Sequence, residues 1–255
     1  MKKYTKPLLL LVISFIILIL TITILIPYQN NRKEKKVMKI ISTNSESITE
    51  TDSETSIDNS LKFYHEALSE ELKNYITGKS YKENENITFD ELRHVVVQYI
   101  DFEGNTCEGE LIVNEAVADE TVEIFKELFN ASYAIEKIHL IDKYNGDDDA
   151  SMEDNNTSCF NYRNIDGQNT LSDHSLGLAI DINPLYNPYV RKNMGDRNIL
   201  PTNGAVYADR SADFPHKITK DDICYNIFTS HGWKWGGEWD SPVDYQHFYK
   251  EYSKP

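Results

Sequence analysis

Cysteine, proline and glycine are all scarce in this chain of 255 residues, at 3, 8 and 11 respectively. Cys107, Cys159 and Cys224 are too few and too scattered for a disulfide scaffold or a cysteine zinc cluster, and at most one bridge can form among them. So little proline and glycine excludes a collagenous or low-complexity chain. Positive charge is also short: 26 Lys and Arg face 41 Asp and Glu, a net charge of −15. Such a surface repels phosphate, and the basic stripe with interleaved aromatics that nucleic-acid binding demands is absent, so no nucleic-acid partner is expected. No internal repeat is visible. The apolar 40% is partly concentrated in one N-terminal run, which leaves enough for one soluble domain of ordinary size.

That run, Leu8 to Ile26, is nineteen residues without a charge. At about 1.5 Å per residue it just crosses a hydrocarbon core of about 30 Å. Residues 1–27 therefore read as a membrane anchor. Lys2, Lys3 and Lys6 also make a signal-peptide n-region, but the run exceeds the usual h-region and no A-x-A-like site follows it, which favours an uncleaved helix. Arg32, Lys33, Lys35, Lys36 and Lys39 outnumber the lysines before the span, so counted charges alone would put the body in the cytoplasm. The chemistry below places it outside, on the wall side of a single-pass membrane protein. Residues 42–60 hold ten Ser or Thr and five acids and bury too little to order, so 28–60 read as a basic patch and solvated stalk.

The body, 61–255, begins with Leu61, Tyr64, Leu68, Leu72 and Tyr75 at three- and four-residue steps, an amphipathic helix over 61–77 stopped by Gly78. RHVVVQYI (93–100) and CEGELIV (107–113) flank a turn at Glu103-Gly104-Asn105 and read as a hairpin. A helix is predicted over about 119–131, and a third strand at 135–141. NGDDDASMEDNN (145–156) misses the alternation and glycine of an EF-hand and reads as a solvated loop. GLAIDIN (177–183) alternates, with Asp181 on the face away from the core. A last helix is predicted from near Thr219 to His231-Gly232, with Asp222 as a capping-box-like acid. Mixed strands and helices with hairpins indicate an α+β fold with a mainly antiparallel sheet.

The segments 172–189 and 232–249 carry the chemistry. His174 lies in a Ser-Asp-His-Ser loop, with Asp181 seven residues on, on a short strand. Asp244 and His247 are three apart, so one turn of helix would project both to one side. Two histidines and a carboxylate leave a fourth tetrahedral position for water, the pattern of a catalytic zinc site with His174, Asp181 and His247 as ligands. A non-ligating carboxylate beside that water can take its proton, and Asp244 fits that role. Arg163, eleven residues before His174, is the kind of fixed cation that a developing oxyanion needs. Trp233, Trp235, Trp239, Tyr245 and Phe248 read as core and cleft wall. His65, His94, His139, His216 and His231 read as structural.

Ser172 to Asp181 fits SxHxxGxAxD, and Asp244 to His247 fits DxxH. With these the chain resembles the zinc D-alanyl-D-alanine carboxypeptidases and L-alanyl-D-glutamate endopeptidases of the bacterial wall, which include vancomycin-resistance carboxypeptidases. Asn156 to Arg163 is similar to the NTSxFNxR run of that family. The resemblance implies a hedgehog/D-alanyl-D-alanine peptidase-like fold over about 60–255 and one zinc on His174, Asp181 and His247. It also implies Asp244 as base and Arg163 as the residue binding the scissile carbonyl oxygen, with peptidoglycan stem peptides as substrate. Release of terminal D-alanine is the favoured reaction. Cleavage of L-alanyl-D-glutamate on the same stem and a non-catalytic, zinc-stabilised wall-peptide module are the alternatives.

Overall fold

A nine-residue hairpin organises the first half of the body. In a computed structural model, which describes residues 62–251, β2 (Leu92–Ile100) and β3 (Thr106–Asn114) pair antiparallel from Leu92 opposite Asn114 to Ile100 opposite Thr106. β-Branched residues dominate these strands because they pack well on a pleated surface. The turn is held by Asp101, whose carboxylate accepts from the Glu103 and Asn105 amides while Gly104 takes a positive φ of 84°. Both faces of the hairpin are covered. Val95, Val97, Tyr99, Leu111 and Val113 face the main core, and Leu92 and Ile112 join Leu68, Ile76, Ile87 and Phe160 in a smaller one.

The predicted helix over 61–77 divides into β1 (Tyr64–Ala67), an edge strand on β2, and α1 (Glu70–Ile76). The break is at Ser69, whose hydroxyl accepts from the Leu72 amide and caps α1. α2 (Ala118–Asn130) matches its expectation and buries Thr121, Ile124, Phe125 and Leu128 against the hairpin. The predicted strand 135–141 shrinks to β4 (Lys137–Ile138), which pairs parallel with β5 (Asn156–Thr157). Ile138 approaches the hairpin so closely that a Cβ on Gly109 would lie 2.5 Å from its Cβ, so only glycine fits there.

Residues 145–156 are not a solvated loop. They contain α3 (Asp148–Glu153), capped by Asp147, whose carboxylate accepts from the Ala150 amide, with Ser151 and Met152 buried. Acids in the first turn suit the helix dipole, and this is why so acidic a stretch folds. The last helix, α4 (Ile223–Ser230), starts four residues later than expected because Asp222 itself is the N-cap, accepting from the Cys224 amide.

The second half is built from short strands. β6 (Ala179–Asp181), β11 (His247–Tyr249) and β9 (Lys234–Trp235) form one antiparallel sheet with β11 central. β10 (Val243–Asp244), β7 (Tyr189–Val190) and β8 (Ile199–Leu200) form another. The first is joined to the main core by Phe248, stacked on Phe228 at 4.2 Å, and by Ile180, Trp233 and Trp235. Glu120 on α2 accepts from Trp233 Nε1 and Lys250 Nζ, which pins the end of β11 to the first half. Antiparallel sheets with interspersed helices fit the α+β expectation. Among the described residues no helix is long and apolar enough to cross a membrane. The anchor and stalk expected over 1–60 lie outside the described residues.

Candidate metal centre and active-site cleft

Register brings two of the expected ligands together. His247 on β11 lies directly opposite Asp181 on β6, and His247 Nδ1 is 3.0 Å from Asp181 Oδ1. Asp181 alternates with the core residues Ile180 and Ile182, yet it too is buried, with His174 and His247 against its carboxylate and Ser158 paired to its backbone. His174 comes from a single 3-10 turn, Asp173–Leu176, capped by Ser172 and closed by Gly177 at φ 67°. Its Nδ1 lies 2.6 Å from the Cys159 carbonyl, so Nδ1 carries the proton and Nε2 offers its lone pair. That Nε2 is 3.2 Å from both His247 Nδ1 and Asp181 Oδ2.

The two nitrogens, 3.2 Å apart, and the Asp181 carboxylate, with one oxygen 3.0 Å from His247 and the other 3.2 Å from His174, thus form a buried cluster. A tetrahedral ion with bonds of 2.0–2.1 Å needs donors about 3.3 Å apart. Two imidazole nitrogens facing each other beside one carboxylate fit a divalent cation, and His174, Asp181 and His247 can hold a metal ion. Electrostatics agree. Burial would raise Asp181, yet the two imidazoles hold its carboxyl far below the usual range. Burial would lower His247, yet the Asp173 and Asp181 carboxylates beside it raise it to about 10. Both shifts reflect the same pairing of a buried carboxylate with two imidazoles.

Asp244 and His247 do not share a helical turn. They stand on separate strands, β10 and β11, and Asp244 is positioned by pairing with Tyr189. Asp244 lines the same cleft as the three donors, and its Oδ1 is buried without a hydrogen-bond partner among the described residues. Burial and the nearby Asp181 charge raise its pKa to about 7, against the opposing pull of His247 and His174. Gly236 makes this arrangement possible: a Cβ there would come within 2.8 Å of the Asp244 carbonyl oxygen and 2.9 Å of its Cβ. Trp239 lines the cleft and packs on His247, whereas Trp233, Trp235 and Phe248 belong to the core.

Arg163 also lines the cleft. Its backbone is tied to the His174 turn, because its amide donates to Ser175 Oγ at 2.9 Å and its carbonyl accepts from the Ser172 amide at 3.1 Å. Two cleft residues escaped the sequence reading. Asp173, with Oδ2 3.7 Å from His247 Nε2, stands behind that candidate ligand beyond hydrogen-bond distance. Asp148, at the start of α3, pairs with Arg163 at 2.6 Å. For Asp173 the signal was its place within the motif; for Asp148 there was none, since it lay in an acidic run. His65, His94 and His231 pair with carboxylates at or near the surface and serve structure.

Residues 166–250, about a third of the chain, match the family described as D-alanyl-D-alanine carboxypeptidase. The match bears out the family resemblance. His174, Asp181, Asp244 and His247 all fall within it, and Arg163 lies three residues before its start. No curated protein matches the chain, and no solved structure does.

Proposed function

We propose that this protein is a zinc-dependent peptidoglycan peptidase that releases terminal D-alanine from pentapeptide stems. The observation that carries this reading is the buried cluster of His174, Asp181 and His247, opening onto a cleft that also holds Asp244 and Arg163. A bound zinc ion would supply a Lewis acid and a water whose pKa falls towards about 7.

The chain's own residues supply the rest. His174 is held in one tautomer by the Cys159 carbonyl, and His247 is held by strand pairing opposite Asp181 with the Asp173 carboxylate 3.7 Å from its Nε2. Asp244 accepts the nucleophile's proton on its unpartnered Oδ1 and passes it to the leaving D-alanine amine, a role worth on the order of a hundred- to ten-thousand-fold. Arg163 points a guanidinium at the oxygen of the penultimate carbonyl, where negative charge develops. A module that only bound wall peptides would need neither a base nor an oxyanion partner, and the presence of Asp244 and Arg163 in this cleft supports the catalytic reading over it.

The body stands on the wall side of the membrane, held by residues 8–26, because that is where the stem peptides are. Digestion of a pentapeptide stem by the purified protein, followed by mass spectrometry, tests the reaction. Free D-alanine and a tetrapeptide are expected. L-alanine release with a new D-glutamate amino terminus would overturn the substrate assignment.

A further inference from the structure

Asp148 lies in an acidic stretch, and its neighbour shows how that stretch is used. Consecutive carboxylates at the start of α3 each grip an arginine: Asp148 holds Arg163 Nη2 at 2.6 Å, and Asp149 holds Arg197 through two bonds of 2.6 and 3.1 Å. Arg197 in turn shares Asp166 with Arg191, so α3 is fastened to both loops that border the cleft. The helix is anchored from beneath as well, by buried Ser151, whose Oγ accepts from Asn156 Nδ2 at 3.0 Å, and by buried Met152. Asp148 is therefore a fixed point.

Arg163 has few other constraints. Its Nη1 makes one long bond of 3.4 Å to the Asn164 carbonyl, and its Nε is buried with no partner. About a quarter of each side chain is exposed, 24% for Arg163 and 28% for Asp148, so the pair lies at the cleft surface where a substrate can reach it. An arginine carries roughly 2 kcal/mol of rotamer entropy, and a guanidinium free to swing would spend little time aligned with a reacting carbonyl.

We propose that Asp148 is the positioning residue for Arg163: by holding Nη2 at 2.6 Å it fixes the guanidinium in the cleft and leaves Nη1 to face the substrate's carbonyl oxygen. This rests on the assignment of Arg163 as oxyanion partner. A carboxylate beside that cation also offsets part of its charge, so two effects of opposite sign compete. Orientation dominates because a misplacement of about 1 Å at a reacting centre can cost on the order of a hundredfold.

The test is a double-mutant cycle in the full-length chain on a pentapeptide stem ending in D-alanyl-D-alanine, with metal content measured for every variant. Asp148→Asn is expected to lower kcat by about tenfold to a hundredfold with little change in KM, and Asp148→Glu to recover most of the loss. With Arg163→Ala or Arg163→Lys already present, Asp148→Asn is expected to change kcat by less than about twofold, because the group it acts through is gone or altered. An unchanged or raised kcat for Asp148→Asn, or an equal loss in every background, would overturn the positioning role. If Arg163→Ala is impaired while Asp148→Asn is not, only this inference fails. Full rate in Arg163→Ala removes the oxyanion assignment and Asp148's role with it.

Discussion

The hairpin half and the site half of this protein are built by different means. From Tyr64 to Asn130, long strands pair over nine positions and a thirteen-residue helix lies across them, so each contact is repeated along an element. From Asn156 to Tyr249 the strands are two or three residues long, and each carries a single indispensable pairing: His247 opposite Asp181, Asp244 opposite Tyr189. Redundancy in the first half supplies stability, and the second half uses that rigid backing to hold three candidate metal ligands and the Asp244 carboxylate close together in a buried cleft. The contrast predicts that mutations in one half will be read as melting temperature and in the other as metal content and rate.

His247→Ala should give the largest effect. It leaves buried Asp181 without one imidazole and the metal without a ligand, so elemental analysis should find the ion lost and turnover abolished. Full metal retention would break the assignment. Asp244→Ala should keep the metal and lower kcat by about a hundred- to ten-thousand-fold, since the residue is adjacent to the ligands and not one of them. A near-normal rate with metal present would remove its role as base.

In the hairpin half, Phe125→Ala removes a fully buried ring and should cost about 3–5 kcal/mol, seen as a lower urea midpoint, while kcat of the folded fraction stays unchanged. A fall in kcat as large as that for Asp244→Ala would show that the halves are not separable.

The smallest effect concerns His94, which lies 2.9 Å from Glu110 and 3.5 Å from Glu66 across the hairpin. Burial would lower its pKa, but the two carboxylates raise it above 6.5. A raised folded pKa means that the stabilisation is fully present below the unfolded value near pH 6.5 and fades as pH rises through the folded one. His94→Gln should therefore lower the unfolding free energy more at pH 6 than at pH 9, by less than about 1 kcal/mol, read as urea midpoints at the two pH values. The opposite pH trend would refute the pairing.

The hairpin and α2 were legible because their signals are local: β-branched runs around the Glu103-Gly104-Asn105 turn, and Val122, Phe125 and Phe129 at helical spacing, of which Val122 and Phe125 are buried and Phe129 is half-buried. The strand β1 was not legible. Tyr64 and Leu68 fit a helical step as well as an edge strand, and the choice was made by pairing of Tyr64–Ala67 with Arg93–Val96, a contact invisible to a short window. The α3 segment failed for a similar reason. Its acids look solvated until Arg163 and Arg197, which neutralise two of them, are brought alongside.

Ligand types were readable without a fold, because two histidines and an aspartate in these motifs have little other use together, and Asp244 and Arg163 fit the same chemistry. The sequence by itself determined which residues could hold a metal, His174, Asp181 and His247, and which carboxylate and arginine, Asp244 and Arg163, are candidates to stand beside it. Tertiary structure alone decided how they meet. His247 reaches Asp181 across 66 residues through strand register, not through the helical turn that its spacing from Asp244 implied. Asp148 reaches Arg163 only because α3 packs beside the cleft. Spacing along a chain constrains neighbours within a turn or a strand, whereas register and packing are set by the burial of distant apolar faces, and those set the geometry of this site.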